Sequence, residues 1–120
     1  MDALIAIKEA DAIVMGPGSL YTSIIPNLLV EDIVEGINKS DAIKIYISNV
    51  MTQPGETDDF AVSDHIKTLM KYSGKNSVQY VIANNGTIPK DIEERYLNEG
   101  SKLVKLDYEN IEDLNVKVVE

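Results

Sequence analysis

The stretch Gly16-Pro17-Gly18-Ser19-Leu20 joins a short apolar run to a hydroxyl-rich segment, Tyr21, Thr22 and Ser23. Gly16 and Gly18 supply backbone freedom, Pro17 fixes one φ and removes a donor, and Ser19 is a good helix N-cap. A strand-to-helix turn of this kind leaves the N–H groups near Gly18, Ser19 and Leu20 without intrahelical partners, aimed at one spot that favours an anion such as a phosphate. The hydroxyls of Tyr21, Thr22 and Ser23 add donors in the first turn of the helix. The lysine and glycine spacing of a P-loop are missing, and so is the dinucleotide fingerprint.

A second group of polar side chains lies in the segment NVMTQPGETDD, residues 49–59. Asn49, Thr52, Gln53, Glu56 and Thr57 carry groups that recognise sugars and bases by hydrogen bonding, arranged around a Pro54-Gly55 turn former. Glu56, Asp58 and Asp59 could instead ligate Mg²⁺ if the loop served phosphoryl chemistry. His65 follows shortly after. A single helical histidine is more often packed or solvated than functional, and only its place beside this loop makes it a candidate for ligand contact. Asn84, in Asn84-Asn85-Gly86, closes a third apolar run, where a plain strand-end turn and a ligand contact fit equally well. No lysine or arginine lies in any of the three loops, and a phosphoryl transferase would be expected to place one there.

Positioning these residues requires alternating strands and helices. A helix over residues 3–9 leads into a strand at 12–15, whose continuous apolar character predicts cover on both faces. The helical piece after Ser19 should end at Ile25, because the residue before Pro26 is pushed out of the α region. Spacings near three and four predict a helix over 27–38. Residues 42–47 read as the second strand and 62–72 as a helix with Ser63 as its cap and Gly74 as its stop. Residues 78–83 read as the third strand, and 88–98 as a helix with Pro89 in its first turn. Residues 103–106 and 116–119 read as short strands separated by an acidic loop at 107–113. The fold class is α/β, a doubly wound, mostly parallel sheet forming the Rossmann-like half of a three-layer αβα arrangement, in one domain over 1–120. Ligands of such sheets lie outside the carboxyl ends of the strands, so the three loops should converge on one crevice.

Composition narrows the partners. With 11 basic against 20 acidic residues the net charge is −9, which repels nucleic acid and anionic membrane surfaces. The absence of cysteine excludes disulfides, thiolate metal sites and thiol nucleophiles. No run approaches the roughly 18 apolar residues that span a bilayer, and the first residues are acidic where a signal peptide would be basic. The expectation is a cytoplasmic protein.

The words GPGSLYTSIIPNLL, residues 16–29, and NVMTQPGETDDFAVSDHI, residues 49–66, resemble the bacterial gluconeogenesis factor family, the YvcK-like branch of the CofD superfamily. The resemblance runs to about Asn84. It implies a cytoplasmic protein that binds the nucleotide sugar UDP-N-acetylglucosamine and supports cell shape and wall synthesis on gluconeogenic carbon sources, with no reaction firmly attached and no certain cofactor. The related 2-phospho-lactate transferases, which build a deazaflavin cofactor from a nucleotide diphosphate donor, carry a Gly-Pro-Ser-Asn type turn where this chain has residues 16–19. Under that alternative Mg²⁺ would be the metal. Family members are more than twice this long and begin with a glycine-rich GGGTG-type turn, so the chain is similar to a C-terminal portion. An exposed sheet edge then predicts self-association into a homo-oligomer.

Overall fold

The computed structural model describes residues 2–84, 86 and 89–120. Helix α1 (Asp2–Glu9) precedes strand β1 (Ala12–Met15), a π-helical turn (Leu20–Ile24), α2 (Ile25–Leu28) and α3 (Glu31–Lys39). Then come β2 (Ile43–Ile47), α4 (Val62–Ser73), β3 (Tyr80–Ile82), α5 (Lys90–Asn98), α6 (Tyr108–Glu112) and β4 (Lys117–Val119). The four strands form one parallel sheet in the order β1-β2-β3-β4. The α/β class and parallel sheet are therefore as the alternation predicts.

Strand order fixes where the helices lie. Right-handed crossovers that always advance in the same direction place their connecting helices on the same face of the sheet. Met15 pairs with Tyr46 and Tyr46 with Val81, and this row is buried under the helices with Leu20, Ile37, Ile66, Leu69 and Ile111. Each such aliphatic side chain contributes about 1.5 to 3 kcal/mol by leaving water. The alternate row is open: Val14 is 53% exposed, and Ile43, Ile82 and Val119 are exposed with it. Cover of β1 on both faces, expected from its continuous apolar run, is thus not supplied by the described residues, because β1 is an edge strand beside a single helical layer.

Several element boundaries depart from the reading of the sequence. Pro26 does not end the helix after Ser19. The chain winds as a π-helical turn, with the Ile24 N–H donating to the Ser19 carbonyl at 3.1 Å, and passes into α2 with Pro26 in the first positions, where a missing N–H costs little. The expected helix over 27–38 is split at residues 29–30, and α3 starts afresh at Glu31. Ser63 is not the cap of α4. The cap position is Ala61, whose N–H donates to the carboxylate of Asp64 in the first turn at 2.8 Å, while Gly74 stops the helix at a φ of 101°. β3 is shorter than 78–83, in part because the Gln79 side chain accepts the Lys44 N–H at 3.0 Å.

The carboxy-terminal third differs most. Residues 103–106 form no strand; Leu103 makes only an isolated antiparallel bridge to Met51. The acidic stretch expected to loop contains α6, because Ile111 is fully buried and Asp107 ties the helix to α4. The Asp107 carboxylate accepts the Ser63 N–H at 3.0 Å, the Ser63 hydroxyl in a very short contact and the Asn110 amide at 3.0 Å. Partial burial pushes the Asp107 carboxyl up, and these hydrogen bonds outweigh it, holding the group below the usual aspartate value. The start of the expected helix over 88–98 falls at Ile88, outside the described residues; from Lys90 onward it is α5.

Candidate functional site

The turn after β1 is built against β2. Gly16 has a φ of 95°, and a Cβ there would stand 2.9 Å from the Ile47 carbonyl oxygen, so only glycine allows this approach. The Gly16–Pro17 peptide is cis. Gly18 packs on the start of the π-helical turn, where a Cβ would meet the Ser23 Cβ at 3.2 Å. Asn49, just past β2, donates from its side-chain amide to the Gly18 carbonyl at 2.9 Å. The strand end beneath it is fixed as well, since the Ser48 N–H donates to the Ile82 carbonyl at 2.9 Å.

This arrangement leaves donors free. The Ser19 carbonyl accepts from both Ser23 and Ile24, but among the described residues no partner faces the N–H groups of Gly18, Ser19, Leu20, Tyr21 and Thr22. The Ser19 hydroxyl oxygen is buried without a hydrogen bond. Leu20 turns inward and is fully buried, which pins the backbone that carries the free amides. Ser23 and Asn27 line a cavity of about 310 Å³ beside Gly16, Pro17 and the β1 edge. A larger cavity, of about 540 Å³, lies between Lys8, Asp11, Lys39 and Asp41 at the amino ends of β1 and β2, away from every residue singled out in the sequence.

The long loop behaves differently from its reading as a row of ligand-facing side chains. Thr52 is buried and joined to the segment after α5: its N–H donates to the Lys102 carbonyl at 2.7 Å, and its hydroxyl oxygen accepts the Lys102 N–H at 2.9 Å. Thr57 is buried too, its hydroxyl oxygen accepting the Gln53 N–H at 2.8 Å. Both therefore shape the loop. Gln53 keeps its Oε1 buried and unpartnered, so its side chain retains an unused acceptor. Gly55 has a φ of 80° with open space around it, and its N–H donates to Asp58 at 2.8 Å. Glu56 is half-buried. Asp59 pairs at 3.3 Å with Lys102, a cation that reaches the loop from 43 residues away and carries no signal in the local sequence.

His65 belongs to the core. It is fully buried, its Nδ1 lies 2.9 Å from the Ala61 carbonyl, and its ring meets Phe60 edge to face at 5.4 Å. Burial lowers its pKa, against smaller raising effects of the Ala61 carbonyl and the Asp64 charge. The tautomer that donates from Nδ1 leaves Nε2 as an unpartnered buried acceptor. Asn84 forms a local turn with Gly86, its amide and oxygen both at 3.2 Å from Gly86 backbone atoms, and among the described residues it makes no hydrogen bond to the other two loops. Of the three loops, the structure joins the Gly16 turn to Asn49 directly. Besides Lys102, Tyr46 escaped the sequence reading: it is fully buried with its hydroxyl unpartnered and its pKa raised by desolvation. Its place in an apolar run disguised it.

Fold and site define a parallel α/β protein whose edge strand ends in a turn of free backbone donors braced by the neighbouring strand. The sequence matches the family described as 2-phospho-L-lactate transferase CofD over residues 1–120, and the chain belongs to that family. It is 50% identical over 115 residues to a gluconeogenesis-factor relative from Clostridium acetobutylicum, covering 96% of this chain and 26% of the relative. It is 44% identical over 113 residues to the gluconeogenesis factor of Bacillus subtilis, covering 94% and 35%. A crystal structure of a UPF0052 family protein from Bacillus halodurans superimposes with a TM-score of 0.96 at 42% identity, over 98% of this chain and 38% of that one. The chain spans between about a quarter and just over a third of the curated relatives it matches.

Proposed function

We propose that the chain carries part of the ligand site of a cytoplasmic regulatory protein that binds a nucleotide sugar, UDP-N-acetylglucosamine, and supports cell shape and wall synthesis on gluconeogenic carbon sources. The ligand's identity and the physiological role follow from the resemblance to gluconeogenesis factors. The observation that carries the site is the turn: five consecutive N–H groups from Gly18 to Thr22, together with the Ser19 hydroxyl, lack partners among the described residues at the carboxyl end of β1. Backbone donors of this kind hold a diphosphate without needing a lysine, which accounts for a site otherwise poor in cations. Gln53, whose Oε1 lacks a partner among the described residues, is a candidate in the long loop for ordering the rest of the ligand.

The family match favours a second reading, transfer of a phospho-lactyl type group from a nucleotide diphosphate donor to a deazaflavin alcohol. Metal-dependent transfer would call on Glu56, Asp58 and Asp59. Asp58 is engaged with Gly55 and Asp59 with Lys102, so that set is already partly spent on holding the loop. Isothermal titration of the intact protein with UDP-N-acetylglucosamine, alongside a turnover assay with a nucleotide-linked donor and Mg²⁺, separates the two. Saturable binding without turnover is the expected result. Mg²⁺-dependent group transfer that is lost in Glu56→Gln would establish the second reading instead.

A further inference from the structure

Asn49 looks from its sequence like a residue that reads a sugar or a base, and its geometry gives it a different task. We infer that Asn49 is a positioning residue, which sets the direction of the Ser19 N–H by holding the preceding carbonyl; this rests on the reading of the turn as a diphosphate site. The side-chain amide of Asn49 donates to the Gly18 oxygen at 2.9 Å. The Gly18–Ser19 peptide is planar and trans, so its C=O and N–H point in opposite directions. Fixing one fixes the other. With the Gly18 oxygen turned toward Asn49, the Ser19 N–H is turned away from Asn49.

Rotation of the Gly18–Ser19 peptide is resisted on its carbonyl side by Asn49, in addition to the hold that the buried Leu20 side chain and the bonds of Ser23 and Ile24 to the Ser19 carbonyl exert on the residues that follow. Gly18 has no side chain to oppose it, and its oxygen accepts no other hydrogen bond among the described residues. Rotation of the Gly18–Ser19 peptide would present a carbonyl where the free donor stood, replacing attraction for an anion by repulsion. Asn49 is itself well placed to act as an anchor. Its neighbour Ser48 is buried and tied to β3 by the bond to Ile82, and Gly16 lies against the carbonyl of Ile47, so the two strand ends are locked together at the point from which Asn49 reaches across.

A contact residue and a positioning residue answer differently to the choice of ligand. In the intact protein, affinities for UDP-N-acetylglucosamine, UDP and inorganic pyrophosphate should all fall by a similar factor, roughly tenfold, in Asn49→Ala, as a lost hydrogen bond to a charged ligand predicts. The near-isosteric Asn49→Asp, which cannot donate, should lose at least as much with each probe. In the ligand-free protein the Gly18 carbonyl and Ser19 amide resonances should move in both variants while the melting transition stays cooperative. A loss confined to UDP-N-acetylglucosamine overturns the inference, because Asn49 would then be reading the sugar. Unchanged affinities in both variants, with binding still abolished by Gly18→Val, overturn it while leaving the turn as the site. If none of the three probes binds the unsubstituted protein, the diphosphate reading falls and this inference falls with it.

Discussion

A Cβ placed on Gly16 would stand 2.9 Å from the carbonyl oxygen of Ile47, so the turn that ends β1 is seated directly on the end of β2. Gly16→Ala meets this clash and a φ of 95° together. Positive φ alone costs a non-glycine residue about 1 kcal/mol or more. The variant should lose about 2 kcal/mol or more of stability, visible as a lower urea midpoint with an unchanged slope.

Asp107→Ala removes acceptors from both the N–H and the hydroxyl of Ser63, at the start of α4. Losing a cap and leaving a buried hydroxyl unpaired together predict a cost of about 1 to 3 kcal/mol. Hydrogen exchange should quicken first in α6 and the first turn of α4. Uniform exchange across the chain would show that this tether is not what docks α6.

The pH dependence of stability should carry the mark of His65. Its folded-state pKa lies below the ordinary value of 6.5 because the ring is buried. Between the folded and unfolded values the unfolded chain binds more protons, so stability is complete above about pH 6.5 and falls as the pH drops below it. His65→Phe should flatten this slope in urea titrations between pH 7 and pH 5. Asp107 acts lower on the scale, its contribution present above its unfolded value near 3.8 and lost as the pH falls through its depressed folded value. A midpoint that does not change between pH 7 and pH 5 in the unsubstituted protein contradicts the placement of His65.

Thr52→Val keeps the side chain's shape and deletes the acceptor of the Lys102 N–H. A cost of about 1 to 2 kcal/mol in stability is expected, with nucleotide-sugar affinity unchanged when measured well below the melting transition. A selective loss of affinity would return Thr52 to the ligand site.

Sequence pattern revealed the site's scaffold better than the role of each side chain. β1 and its glycine turn were legible because an apolar run meeting Gly-Pro-Gly-Ser has few backbone solutions. The burial of His65 and Thr52 was not, since a polar residue is placed by the partner it finds, and those partners, the Ala61 carbonyl and Lys102, are set by helix phase and by chain 50 residues distant. Helix α6 escaped for a similar reason: its acidic sequence reads as loop, and the burial of Ile111 together with the bonds that Ser63 and Asn110 make to Asp107 holds it in place. Pro26 misled because the bias of its predecessor away from the α region is overridden here: Ile25 keeps helical angles, φ −59° and ψ −37°, and Pro26 falls in the first positions of a new helical segment. The open row of Val14, Ile43, Ile82 and Val119 follows from strand order, which local pattern does not report.

The free N–H groups of the Gly16 turn should be what holds the ligand's phosphates. Titrating the ¹⁵N-labelled intact protein with UDP-N-acetylglucosamine while following backbone amides tests it most directly. The Gly18, Ser19 and Leu20 amides should shift the most, inorganic pyrophosphate should move the same three, and Gly18→Val should abolish the response in a protein that still folds. Saturable binding that leaves these amides unmoved, or that survives Gly18→Val unchanged, would contradict it.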